Sequence, residues 1–278
     1  MRSQSYLWIV AALAILITAC AGCAAADQSP PVSVGDEDAA VLLIRLQSDI
    51  TTALEALDGR LSHAAFELGK TDLSDDDARA ILANLSAADP SIVDSTVSNA
   101  GGTIIAAEPA AYRDVEGADV NGQAHVRHIL ATKRPMMSEV ITVAEDIPAM
   151  VITAPVFTNE GLFTGFVSIV FRPEALIAGV AGPAANGTPY QVMVVQTDGR
   201  VIYDTDPAQI GKMTFEDPLY ADYPDLLDVA RRVADERYGT AAYEFTAGGG
   251  EAVQKEISWT TAGLYGVEWR VAVIRAVE

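Results

Sequence analysis

The chain has 278 residues, enough for one large domain or two modest ones. Its 38 acidic and 18 basic residues give a net charge of −20, which argues against a partner held through a basic patch, nucleic acid included. Both cysteines lie in the first 23 residues, so a disulfide framework, a thiolate metal site and a cysteine nucleophile are excluded from the remainder.

Arg2 precedes an apolar run from Tyr6 to Ala19, the pattern of a targeting segment. Ile17-Thr18-Ala19-Cys20 is lipobox-like and makes Cys20 the first choice for lipidation, with Cys23 second. The alternative is an uncleaved signal anchor, since Tyr6 to Ala26 has the length of about 20 residues that crosses a bilayer. Both readings place the body outside the cytoplasm, anchored to the outer side of the cell membrane. Residues 1–23 are thus a signal or lipoprotein segment, and the small, polar, proline-containing residues 24–37 a linker.

From Asp38 to Leu68, apolar residues recur at three and four, predicting one long helix spanning on the order of 45 Å, with Gly69 as its stop. Asp75, Asp76 and Asp77 favour the start of a second helix over 78–87. The period then changes to two: Ile92, Asp94, Thr96 and Ser98 alternate with Val93, Ser95, Val97 and Asn99, and a Gly-Gly turn leads into 103–107. Residues 108–138 form a long connection with one short helix over 123–131, and 139–143 resume the sheet. Met150–Phe157 and Phe163–Phe171 form a hairpin around Thr158-Asn159-Glu160-Gly161. It is apolar enough to be covered on both faces, with Pro155 expected as a kink or bulge and a short helix start at 173–176.

Residues 181–188 read as a second linker. A smaller unit follows: strands over 191–196 and 200–204, a helix over 224–238 stopped by Gly239, and alternating strands in the tail. Trp259, Trp269, Tyr243 and Phe245 are spaced for a sheet core. Asp204 and Asp206 read as a polar turn, and Gly248-Gly249-Gly250 as a turn between strands. There is no G-x-S-x-G elbow, P-loop or G-x-G-x-x-G after a strand, so no enzymatic activity and no cofactor is expected.

Several segments together resemble the double Cache (PDC-type, PAS-like) extracytoplasmic sensor domain. They are Asp119 to Val126; Lys133 to Ser138; Ala154-Pro155-Val156-Phe157 with Gly161 and Gly165; and Asp198 to Asp206 with Ile210-Gly211-Lys212. The resemblance implies an α+β fold: a long N-terminal helix and a membrane-distal PAS-like unit over 38–180, then a smaller membrane-proximal unit over 189–278. It also implies a small ligand between the distal sheet and the connection at 108–138. Where amino-acid-binding members carry an arginine, this chain has Gln123, followed by His125 and Val126, so no guanidinium fork is available there for a carboxylate.

His125, Arg127, His128, Lys133 and Arg134 form the densest cationic cluster in the chain. The expected binding set is Tyr112, Gln123, His125, Arg127 and Ser138, taking an anionic ligand such as a carboxylate. An ordinary solvated helix face is the competing reading for each histidine, and no metal site is expected, since no third ligand is compelled. The function expected is a membrane-tethered, small-molecule-binding sensor that signals through, or delivers ligand to, a separate membrane-bound transducer. A structural or adhesion lipoprotein is the alternative. Whether the long helix pairs with a copy of itself is left open.

Overall fold

A computed structural model describes residues 34–246 and 253–277. The N-terminal segment with Cys20, and the Gly248-Gly249-Gly250 turn, lie outside the described residues. The long amphipathic pattern forms helix α1 (Val34–Leu68), and Leu46, Ile50, Leu54, Leu57, Leu61 and Leu68 on its inner face are at most 1% exposed. The helix ends where Gly69 passes so close to the Phe157 carbonyl that a Cβ there would sit 2.1 Å from the oxygen. Close approach, rather than a left-handed turn, is what requires glycine. Helix α2 (Asp76–Ser86) is capped by Asp75, whose carboxylate accepts from the Ala78 amide at 2.7 Å.

The N-terminal unit contains strands β1 (Ile92–Asn99) and β2 (Ile104–Glu108), helix α3 (Ala124–Thr132), short strands β3 (Met136–Met137) and β4 (Ile141–Thr142), and the hairpin β5 (Pro148–Phe157) and β6 (Phe163–Phe171). The sheet runs β2-β1-β6-β5-β3, and β4 also pairs with β5. The hairpin is central and buried on both faces, as its apolar composition predicts. Pro155 is not a bulge: it sits in register opposite Phe166. It fits because β3 pairs no further along β5 than Thr153, so Pro155 lies where β5 lacks a second partner. The strand expected over 139–143 is instead β3 and β4, interrupted at Ser138–Val140.

Helix α4 (Pro173–Ala185) follows β6, so residues 181–185 of the expected linker are helical. Ala181 and Ala184 are buried in the core shared with α1, and that packing outweighs the helix-breaking Pro183. The C-terminal unit comprises β7 (Gln191–Gln196), β8 (Val201–Asp204), helix α5 (Pro224–Asp235), β9 (Gly239–Phe245), β10 (Val253–Leu264) and β11 (Val267–Ala276). Its order, β8-β7-β11-β10-β9, repeats that of the first sheet. Gly239 does not stop α5. It opens β9, where a Cβ would lie 2.4 Å from the Trp259 ring.

One hydrophobic core joins the units. Met150, Ile152 and Ala154 from the first sheet and Val192, Val194 and Val271 from the second pack against α1 and α4. Gln47 donates to the Thr261 carbonyl at 2.9 Å, and Tyr265 to Asp58 at 2.7 Å. Each sheet thus turns one face to α1 and the other away. The outward faces carry the two cavities described next.

Candidate functional site

The outward face of the first sheet is polar where the alternation of β1 predicts polar groups. Ser95 points to α2 and donates to the Leu82 carbonyl at 2.8 Å, so Asp94, Thr96 and Ser98 take the opposite face. Thr96 pairs with Ser168 and Ser168 with Thr153, making one hydroxyl row across three strands. Asp94 lies one row away, opposite Val170.

The connection roofs this face. Ile104 and Val120 donate to the carbonyls of Ala118 and Gly102, each at 3.0 Å, holding the connection along β2. Arg79 on α2 grips Glu116 through two bonds of 2.8 and 3.1 Å, and Glu108 pairs with both Arg79 and Arg113. On the other side, β4 and β5 are joined by the turn Val143–Ile147, closed by a 3.0 Å bond from the Val143 amide to the Ile147 carbonyl. Asp146 occupies the left-handed region at φ 58°, which an aspartate tolerates better than most residues. This turn carries Glu145 over the sheet.

A cavity of about 30 Å³ remains between sheet and roof, lined by Thr96, Ser98, Gln123, His125, Glu145 and Ser168 among others. That is room for about two waters. Asp94 lies beside it, 0% exposed, facing the Glu145 carboxyl, and neither Asp94 oxygen has a donor among the described residues. Burial and the neighbouring Glu145 push the Asp94 carboxyl far above the ordinary carboxylate range. The Asp94 carboxyl is therefore protonated at neutral pH.

The structure brings Gln123 and His125 into the cavity lining, while Tyr112, Arg127 and Ser138 lie outside it. Arg127 is exposed and folds back on its own loop, donating to the Gly122 carbonyl at 2.5 Å. Ser138 ties β3 to β5: its hydroxyl accepts from the Val151 amide at 3.0 Å and donates to the Glu139 carbonyl at 2.7 Å. Tyr112 is half-buried in a 3-10 turn over Ala110–Val115. Lys133 stacks its ammonium 3.9 Å from the centre of the Phe163 ring. Burial pushes His125 down to about 4, so at neutral pH it brings no positive charge to the cavity. Sequence reasoning missed Asp94 and Glu145. The signal for Asp94 was present as the polar half of the β1 alternation. For Glu145 there was none, since its turn has no sequence link to β1.

The outward face of the second sheet bears a larger cavity, about 270 Å³, beneath α5 and the 205–223 connection. Helix α5 is fastened there by Arg270, 3% exposed, which donates to the carbonyls of Val233 and Glu236 at 3.0 Å and Ala234 at 3.1 Å. Trp259 adds a 2.9 Å bond to the Glu236 carbonyl. These cationic and indole donors satisfy the helix C-terminus. Tyr243 and Phe245, expected as core, are buried and also line this cavity. Asp204, expected in a polar turn, lines it too.

Residues 52–173 match the family described as HK/GC/chemotaxis protein-like, sensor domain. Among solved structures, the chain is similar to an extracellular ligand binding receptor from Desulfohalobium retbaense, at 27% identity and a TM-score of 0.71. The match covers 85% of this chain and 40% of that one, so the chain spans less than half of that protein's length. It is also similar to the ligand-binding domain of the Pseudomonas aeruginosa amino acid chemoreceptor PctC, solved with GABA, at 19% identity and a TM-score of 0.57, covering 84% of this chain and 97% of that one. The extracellular domain of a histidine kinase, rpHK1S-Z16, matches at 15% identity and a TM-score of 0.63, over 87% of this chain and 95% of that one. No curated protein sequence matches. No helix among the described residues is long and apolar enough to cross a membrane.

Proposed function

We propose that this chain, which has the double Cache-type fold and whose residues 52–173 match the HK/GC/chemotaxis protein-like sensor domain, is a sensor for a small molecule bearing a protonated amine. The ligand is held on the outward face of the first sheet. The observation that carries this reading is Asp94, a fully buried carboxyl with no donor among the described residues, facing Glu145 at the edge of the cavity. An ammonium group supplies the donors this pair lacks and takes the place of the Asp94 proton. Gln123, Ser98 and Ser168 are neutral donors for a carboxylate or hydroxyl on the same ligand. Amine-bearing ligands also accompany similar folds: PctC was solved with GABA and PctB with L-Gln and with L-Arg.

Entry of such a ligand lifts the Val143–Ile147 turn or α3 away from the sheet, since the closed cavity holds no more than a few atoms. Because β4 and β5 lie in the sheet packed on α1, that displacement reaches the long helix. The N-terminal segment, through Cys20 or as a signal anchor, tethers the body to the outer face of the cell membrane, and α1 passes occupancy to a separate membrane-bound transducer. A thermal-shift panel of amines, amino acids, carboxylates and purines tests the reading, because a ligand of the folded state alone raises stability by RT ln(1 + [L]/Kd). Stabilisation by amine-bearing compounds that is lost in Asp94→Asn is expected. The absence of stabilisation by any compound would favour a non-sensing structural or adhesion lipoprotein.

A further inference from the structure

We propose that the C-terminal unit holds a second ligand site, independent of the first, that takes an organic cation: a primary amine on a short apolar chain. The site is the cavity beneath α5. It occupies in the second sheet the place that the first cavity occupies in the first, between the outward face and the connection that crosses it, and it is far larger. At about 270 Å³ it lies just below the range of about 300–1,000 Å³ typical of ligand sites, so the ligand is small.

Its wall is divided. Val195, Leu226, Val233, Phe245 and Ile257 make an apolar trough suited to a hydrocarbon chain. At one end stand Asp204, Asp206, Gln209, Tyr220 and Tyr243. The Tyr220 hydroxyl donates to the Gln209 side-chain oxygen at 2.6 Å, which leaves the phenol oxygen free to accept. Asp204 accepts from the Asp206 amide at 2.7 Å, and Asp206 accepts from Ala208 at 3.1 Å and from Gln209 at 3.3 Å. Among the described residues that line the cavity, the charged groups are Asp204, Asp206 and one ammonium, Lys255, which is already bonded to Gln191 at 2.9 Å. The end is therefore rich in acceptors and net negative. An alkylammonium group brings three donors and one positive charge to it. An alkyl carboxylate of the same shape would meet Asp204 and Asp206 with like charge.

Calorimetric titration of the purified full-length Asp94→Asn chain, in which the N-terminal site is disabled, with n-hexylamine, n-hexanol and hexanoate tests this site alone. Hexylamine should bind saturably, with hexanol and hexanoate at least tenfold weaker. Asp204→Asn should weaken hexylamine about tenfold or more. Ala230→Phe, which fills the trough from a half-buried position on α5, should abolish binding with the helical circular dichroism unchanged. Both substitutions are made in the Asp94→Asn background, so loss of the N-terminal site and loss of this one are told apart. Equal binding of hexanol or hexanoate, no binding of hexylamine, or persistence of binding in Ala230→Phe would overturn the proposal.

Discussion

His125 shows how burial changes what a residue can do. A histidine on a short helix in a cationic cluster reads as a pH-dependent anchor for an anion, losing its charge near the ordinary value of about 6.5. Inside the roof its value falls to about 4, and the group is neutral at neutral pH. The folded value lies below the unfolded one, so the native state binds fewer protons between them. His125 therefore contributes stability that is present above pH 6.5 and lost as pH falls through 4, about 3 kcal/mol in all. Denaturant unfolding of the wild type and His125→Phe from pH 7 to 4 should show the wild type losing more stability; parallel curves would contradict it. Asp94 has the opposite sign. Its folded value is raised to about 9, so its contribution is fully present below about pH 4 and is lost as pH rises through 9. Asp94→Asn, whose amide can donate to Glu145, should stabilise the unliganded chain by about 1–3 kcal/mol at pH 8 and by less at pH 5.

Elements whose signal is local were legible in the sequence. Helix α1 follows from a sustained three-and-four repeat, and the β5–β6 hairpin from two apolar runs around a turn that needs the positive φ of Gly161. What stayed hidden depends on distant contacts. Residues 181–185 carry Gly182 and Pro183 and look like a linker, yet Ala181 and Ala184 gain burial against α1. The end of α5 was misread because Arg270 and Trp259, from strands after the helix, cap it. The candidate site was legible only in part: α3 brought Gln123 and His125 to the cavity, but the acid pair joins a strand and a turn that meet only in the folded chain. Arg270→Met should leave the Val233 and Ala234 carbonyls of α5 without the guanidinium donor and cost about 3 kcal/mol. Amide hydrogen exchange should then rise across α5 and much less across α3. Unchanged protection in α5 would mean that the helix is held by its apolar face alone.

The described residues form two sheets joined by a shared core, with Leu46 to Leu68 of α1 packed on residues from both units. Calorimetry should therefore give one unfolding transition, and Leu57→Ala, which empties a site 1% exposed, should lower it as a whole by about 2–5 kcal/mol. Two separated transitions, with only one moved by the substitution, would show that the units fold independently. The net charge of −20 acts on the same scale. Raising NaCl from about 10 mM to about 1 M shortens the screening length from about 30 Å to about 3 Å, and the melting temperature should rise as self-repulsion weakens.

The central claim is that an amine-bearing ligand is held by Asp94 and Glu145 in place of the proton that Asp94 carries. Proton linkage tests it most directly: titration of the best-stabilising amine at pH 7 in buffers of different ionisation enthalpy counts the protons exchanged on binding. An incoming ammonium favours the ionised form of Asp94, lowers its value and expels its proton. About one proton released per ligand in the wild type, and none in an Asp94→Asn chain that binds more weakly, is the expected result. Binding of equal affinity in both chains, with no proton released, would contradict the claim.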